Sequence, residues 1–172
     1  NEAYEVQFDF QKNAKRGKIG GYKIALASKV QQQLCSINNP IAGGIFKSEI
    51  YQSQEIIKLK NYQSLGLEFE LAFEINQDIF PNTLENEDIN IKNYVNNAYT
   101  CFELIDDRNA SYNNLDSYTL IADNAWSSGI ILSNPNPKWK DFDLNKLNSK
   151  LYWNNILIGD AKLFNSDPLN SL

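Results

Sequence analysis

Two periods of apolar residues alternate along this chain, and each change of period marks a boundary between elements. Ala3, Val6, Phe10 and Ala14 recur at helical spacing over residues 2 to about 15, and Gly17 with Gly20-Gly21 ends that helix. Tyr22, Ile24 and Leu26 then alternate with Lys23, Ala25 and Ala27, which predicts a strand with Lys23 on its small-residue face. Ser28 is placed to cap a short helix through Leu34. Residues 36–48, rich in Asn, Pro and Gly, read as a loop. The clearest strand is LEFELAFEI at 67–75. Its Leu67, Phe69, Leu71, Phe73 and Ile75 point one way, and Glu68, Glu70, Ala72 and Glu74 the other. A polar, weakly helical stretch follows Pro81 to about Asn97, its apolar side supplied by residues such as Leu84, Ile89 and Val95. YTCFELI at 99–105 predicts a strand apolar on both faces, and further strands are expected at 117–122, 129–133, 150–153 and 155–164. Many strands with few short helices predict an α+β, mainly β fold. No repeat or linker divides the chain, so residues 1–172 are read as one domain.

Composition narrows the chemistry. With 16 Lys+Arg against 21 Asp+Glu, the net charge of −5 argues against binding a nucleic-acid backbone or an anionic membrane. No apolar run approaches the roughly 18–20 residues of a bilayer span, and NEAYEVQFDF does not read as a signal peptide. A soluble, cytoplasmic protein is expected. The chain contains no histidine, which removes Ser/His/Asp triads and His-ligated metals. Cys35 and Cys101 are read as buried free thiols. A metal in such a chain sits among oxygens, as Mg²⁺, Mn²⁺ or Ca²⁺ does.

A few positions can carry that chemistry. Glu68 and Glu70 project side by side from one strand face, about 6.5–7 Å apart along the backbone, which suits either a shared cation or a solvated face. Glu103 stands between Cys101 and Ile105 on one face, with Phe102 and Leu104 on the other, so burial is expected. A buried carboxylate must protonate, pair with a cation such as Arg108, or bind a metal. Asp106 and Asp107, at the strand end, suit turn chemistry. Lys23 can lean into a cavity to stabilise an enolate or carboxylate, or lie solvated. Asp123-Asn124 with Ser127-Ser128-Gly129 forms a polar turn, fit either for turn geometry or for hydrogen-bonding an acid substrate. Trp126, Trp139 and Trp153 are read as core or interface residues.

These segments, in order, resemble a known family. AYEVQ at 3–7, GYKIALASK at 21–29, QQQL at 31–34, LEFELAF at 67–73, FELIDDR at 102–108, IADNAWSSGIIL at 121–132 and a G…LG.PL-like end at 159–169 are similar to the hydratase/decarboxylase family. That family includes 2-keto-4-pentenoate hydratase and 4-oxalocrotonate decarboxylase and is a branch of the fumarylacetoacetate hydrolase superfamily. The resemblance implies a mixed β-roll or barrel-like catalytic domain with peripheral helices, lacking the N- and C-terminal extensions of longer members. It implies Mg²⁺ or Mn²⁺ held by Glu68, Glu70 and Glu103, with Lys23 and Ser28 as catalytic residues and Asp123, Asn124, Ser127 and Ser128 at the substrate.

The implied reaction is hydration of a 2-hydroxy-2,4-dienoate or decarboxylation of a 2-oxo-3-enedioate, both passing through a metal-chelated enolate. The implied assembly is a homo-oligomer, or a non-catalytic subunit paired with an active hydratase or decarboxylase. Several positions depart from the family pattern. GLTS is Ala25-Leu26-Ala27-Ser28 here, Ile41 stands where hydratases carry the aspartate of PDFG, and Asp107 replaces the serine of SR.

Overall fold

The computed structural model describes residues 2–80, 90–162 and 168–169. Leu84, Ile89 and the end of the strand expected at 155–164 lie outside them. The elements are α1 (Glu2–Asn13), β1 (Ile19–Ala25), α2 (Lys29–Leu34), β2 (Ile41–Phe46), β3 (Ile50–Gln52), β4 (Leu65–Ile75), β5 (Val95–Asp106), α3 (Ser117–Ala122), β6 (Ser127–Leu132), β7 (Asn148–Trp153) and β8 (Ile156–Lys162). The fold is α+β, with mixed sheets and few helices. None of the described helices is long and apolar enough to cross a membrane.

The chain divides into two compact units, one of Asn1–Ala72 with Tyr99–Pro135, the other of Phe73–Ala98 with Asn136–Leu172. In the first, β1 and β2 form an antiparallel ribbon in which Lys23 faces Gly43. A four-stranded sheet runs in the order β3-β6-β5-β4, with β3 parallel and β5 antiparallel to β6. Ala3, Ile41, Leu120, Ile121, Ala125 and Trp126 form one core cluster, and Ile45, Cys101 and Ile130 a second. In the other unit β7 and β8 pair antiparallel, and Val95, Ala98, Trp139 and Leu144 pack together.

Several sequence expectations are corrected. The strand expected at 117–122 is the helix α3. Its buried residues Ser117, Leu120 and Ile121 fall at helical spacing, and Asp116 caps it by accepting from Thr119 N at 2.9 Å, which outweighs the β-favouring Tyr-Thr-Leu-Ile run. The loop expected at 36–48 contains β2. Gly43 and Gly44 do not break that strand, because they are where other groups come closest: a Cβ on Gly43 would lie 2.7 Å from the Asn124 carbonyl oxygen, and one on Gly44 2.7 Å from Gln11 Nε2. Trp153, read as core or interface, is 59% exposed, while Trp126 and Trp139 are buried. Cys101 is buried as expected, but Cys35 is only half-buried. The stripe that α1 turns inward is not wholly apolar, since Gln7 is buried in it and Val6 is exposed.

Candidate active site

Strand alternation decides which carboxylates share a face. Phe69 of β4 packs on Phe102 of β5, ring centroids 5.6 Å apart, so these two lie on one side of the sheet. Glu68 and Glu70 therefore project to the other side, together with Cys101 and Glu103. Glu103 is buried, as its apolar neighbours predict. Its cation is Lys23 rather than Arg108. Lys23 is buried on β1 and forms an ion pair through Nζ with Glu103 Oε1, an oxygen with no further hydrogen-bond partner among the described residues. The same ammonium donates to the Ala125 carbonyl at 3.0 Å. Arg108 pairs instead with Asp123 at 2.5 Å.

The electrostatics of this group follow from burial and crowding. Burial pushes the Glu103 carboxyl up to about 7; Lys23 opposes the shift and Glu68 and Glu70 reinforce it. Glu70 is also raised, first by desolvation and then by Glu68, with Lys23 opposing. Desolvation, then Glu70 and Glu103, pushes the Cys101 thiol up to about 12, so it remains a neutral core group. Three glutamates thus repel one another around a single ammonium. Carboxylate oxygens are the donors that hard divalent cations take, and a cation here would relieve that repulsion. Among the described residues no three acidic side chains already stand as a closed metal cluster. Glu68 and Glu70 keep part of their surface exposed, although the packing around Glu70 desolvates its carboxyl.

The Ala125 carbonyl is aimed by an unusual turn. Asn124, Ala125 and Trp126 have successive φ values of 55°, 50° and 57°, left-handed for three residues none of which is glycine. Each such residue costs roughly 1–2 kcal/mol, and such strain persists only where surroundings enforce it. The enforcing contacts come from Asn124, which is 1% exposed. Its Nδ2 donates to the Gly44 carbonyl at 2.8 Å, and its Oδ1 accepts from Gly44 N at 2.7 Å and from Gln11 Nε2 at 2.8 Å.

The remaining expected site residues are placed as follows. Ser28 is the N-cap of α2, its hydroxyl accepting from Gln31 N and donating to Gln31 Oε1 in a capping box. Asn124, expected at the substrate, has its side-chain oxygen and nitrogen engaged by β2 and α1. Ser127 is buried and its hydroxyl has no hydrogen-bond partner among the described residues. Ser128 lines a polar cavity of about 300 Å³ with Arg16, Glu49, Asp106 and Arg108, whose lining includes neither Lys23 nor Glu103. Asp106 accepts from the backbone N–H groups of Gln63, Ser64 and Arg108 at 2.9–3.1 Å and so anchors a loop, as its place at a strand end suggests. Gln7, Gln11 and the Ala125 carbonyl are not among the expected residues. The signal that could have found the glutamines is their i, i+4 spacing inside the buried stripe of α1.

No protein-family model matches the chain. A 2-oxo-hept-4-ene-1,7-dioate hydratase of Escherichia coli is 29% identical over 167 residues, 91% of this chain and 60% of the relative. Among solved structures, 4-oxalocrotonate decarboxylase from Pseudomonas putida G7 complexed with magnesium and adipate has a TM-score of 0.76 at 19% identity, covering 94% of this chain and 61% of that one. The same enzyme complexed with calcium and acetate also has a TM-score of 0.76, over 98% of this chain and 64% of that one. The chain thus spans between 60% and 64% of the length of these relatives. Together they bear out the resemblance to the hydratase/decarboxylase family of the fumarylacetoacetate hydrolase superfamily.

Proposed function

We propose that this chain is a divalent-metal-dependent lyase that hydrates 2-hydroxy-2,4-dienoates. The observation that carries the reading is the buried Lys23–Glu103 pair with Glu68 and Glu70 projecting from the same sheet face. Glu68, Glu70 and Glu103 would hold Mg²⁺ or Mn²⁺, which when bound polarises the carboxylate and 2-oxygen of an acid substrate. Lys23 contributes a fixed positive charge to offset the negative charge that develops on the substrate's 2-oxygen in its enolate form. The Ala125 carbonyl restricts where that ammonium can point. Burial of Lys23 and Glu103 keeps water from screening their charges, so each acts more strongly than it would at the surface.

A second reading, decarboxylation of a 2-oxo-3-enedioate, draws support from Ile41. Where hydratases of the family carry an aspartate, this residue is 5% exposed and part of the apolar core, so no carboxylate handles protons there. Turnover assays with 2-hydroxypenta-2,4-dienoate and with 4-oxalocrotonate, each with Mg²⁺ or Mn²⁺ and with chelator, separate the two. Hydration of the dienoate that chelator abolishes is expected. Loss of carbon dioxide from oxalocrotonate alone would select the second reading, and no turnover of either would leave a non-catalytic partner subunit.

A further inference from the structure

Three amide side chains connect segments far apart in sequence and end at the turn that holds Lys23. Gln7 Nε2 donates to the carbonyls of Ala42 and Ile121, both at 2.8 Å. Gln11 Nε2 donates to Gln7 Oε1 at 3.1 Å and to Asn124 Oδ1 at 2.8 Å. Asn124 in turn pairs with Gly44 through both its polar atoms, much as a neighbouring strand would. Gly44 sits in β2 next to Gly43, which pairs with Lys23, so Asn124 ties the turn to the strand alongside Lys23. Buried amides with directed partners allow fewer arrangements than an apolar contact, which tolerates sliding. An amide chain is therefore suited to hold three consecutive left-handed residues in place, and the group that this turn presents is the carbonyl bonded to Lys23 Nζ.

We propose that Gln11 and Asn124 are positioning residues for Lys23: the amide chain from α1 fixes the Asn124–Trp126 turn, and the turn fixes the ammonium beside Glu103. The consequence for turnover rests on the lyase reading above, whereas the positioning itself can be measured without it. Gln11→Met keeps the side chain's length and removes both donated bonds; Gln11→Glu, of the same shape without the amide donors, replaces it should the first variant not fold.

The primary readout is reductive methylation of Lys23 by formaldehyde and borane in metal-free protein, followed by mass spectrometry and normalised to exposed Lys12. Loss of the hydrogen bond should speed modification of Lys23 by about 10-fold. A normalised rate within about twofold of wild type would overturn the proposal, since a hydrogen bond of ordinary net strength would then be absent from the chain of contacts. In the dienoate assay, the variant's kcat should fall about 10-fold at unchanged KM, with no further fall in a Lys23→Met background, because coupled residues are not additive. Faster labelling with unaltered kcat would overturn the role of this positioning in the reaction. Faster labelling in a protein whose wild type turns over neither acid would uphold the positioning and defeat the lyase reading.

Discussion

Lys23 of β1 and Glu103 of β5 form an ion pair in which each side chain is only 6% exposed. Ion pairs so deeply buried add little net stability, because desolvation offsets their attraction, but removing one partner strands the other.

Lys23→Met should therefore lower stability by about 3 kcal/mol at pH 8.5 in chelator, the scale of breaking a buried pair. Glu103 has its carboxyl pushed up to about 7 in the wild type, and without Lys23 it rises further. The folded variant then holds a proton that the unfolded chain has released, so its stability falls relative to wild type as pH rises through about 7 and the deficit shrinks by pH 5. Urea melts at the two pH values check this. A deficit independent of pH would mean that Lys23 contributes packing rather than charge.

Asp106 supplies a second pH signature with the opposite sign. Desolvation raises its carboxyl, but the N–H groups of Gln63, Ser64 and Arg108 outweigh this and hold it below its usual 3.8. Such a group stabilises the fold above its unfolded pKa, and the contribution is lost as pH falls through the folded one. Asp106→Asn should cost about 1–3 kcal/mol at pH 7, since one backbone N–H loses its acceptor. The difference from wild type should narrow below about pH 4 as Asp106 itself protonates. Equal melts at pH 7 would remove the loop-anchoring role.

Two glycines test the close approach around the site. Gly43→Ala would push a methyl to within 2.7 Å of the Asn124 carbonyl oxygen, whereas Gly21→Ala on the paired strand meets nothing within 4 Å. The first should destabilise by about 1–3 kcal/mol, the second by well under 1. Thermal melts compare them directly, and equal effects would mean that the Asn124 turn yields easily.

Local pattern reveals whatever depends on neighbours in sequence. The alternation of LEFELAFEI foretold β4, and the apolar residues flanking Glu103 foretold its burial. The partner of Glu103 was not legible, because Lys23 reaches it from a different strand and nothing near Glu103 in sequence names it; Arg108, the adjacent cation, was the local guess. The cap at Ser28 is legible because its signal is local, a serine with Gln31 three residues on. β2 was missed because glycine ordinarily weakens strands, and only the tertiary approach of Asn124 and Gln11 explains two of them there. The left-handed run at Asn124–Trp126 leaves no trace in composition, since none of the three is glycine.

Calorimetric titration of the metal-free protein with Mn²⁺ bears most directly on the site. The informative variant is Glu70→Gln, which leaves the Lys23–Glu103 pair in place. The three-glutamate account predicts one Mn²⁺ per chain in the wild type, reversed by chelator, and affinity weakened by about 10-fold or more in the variant through loss of one charged oxygen ligand. No binding to the wild type, or equal affinity in the two proteins, would contradict it.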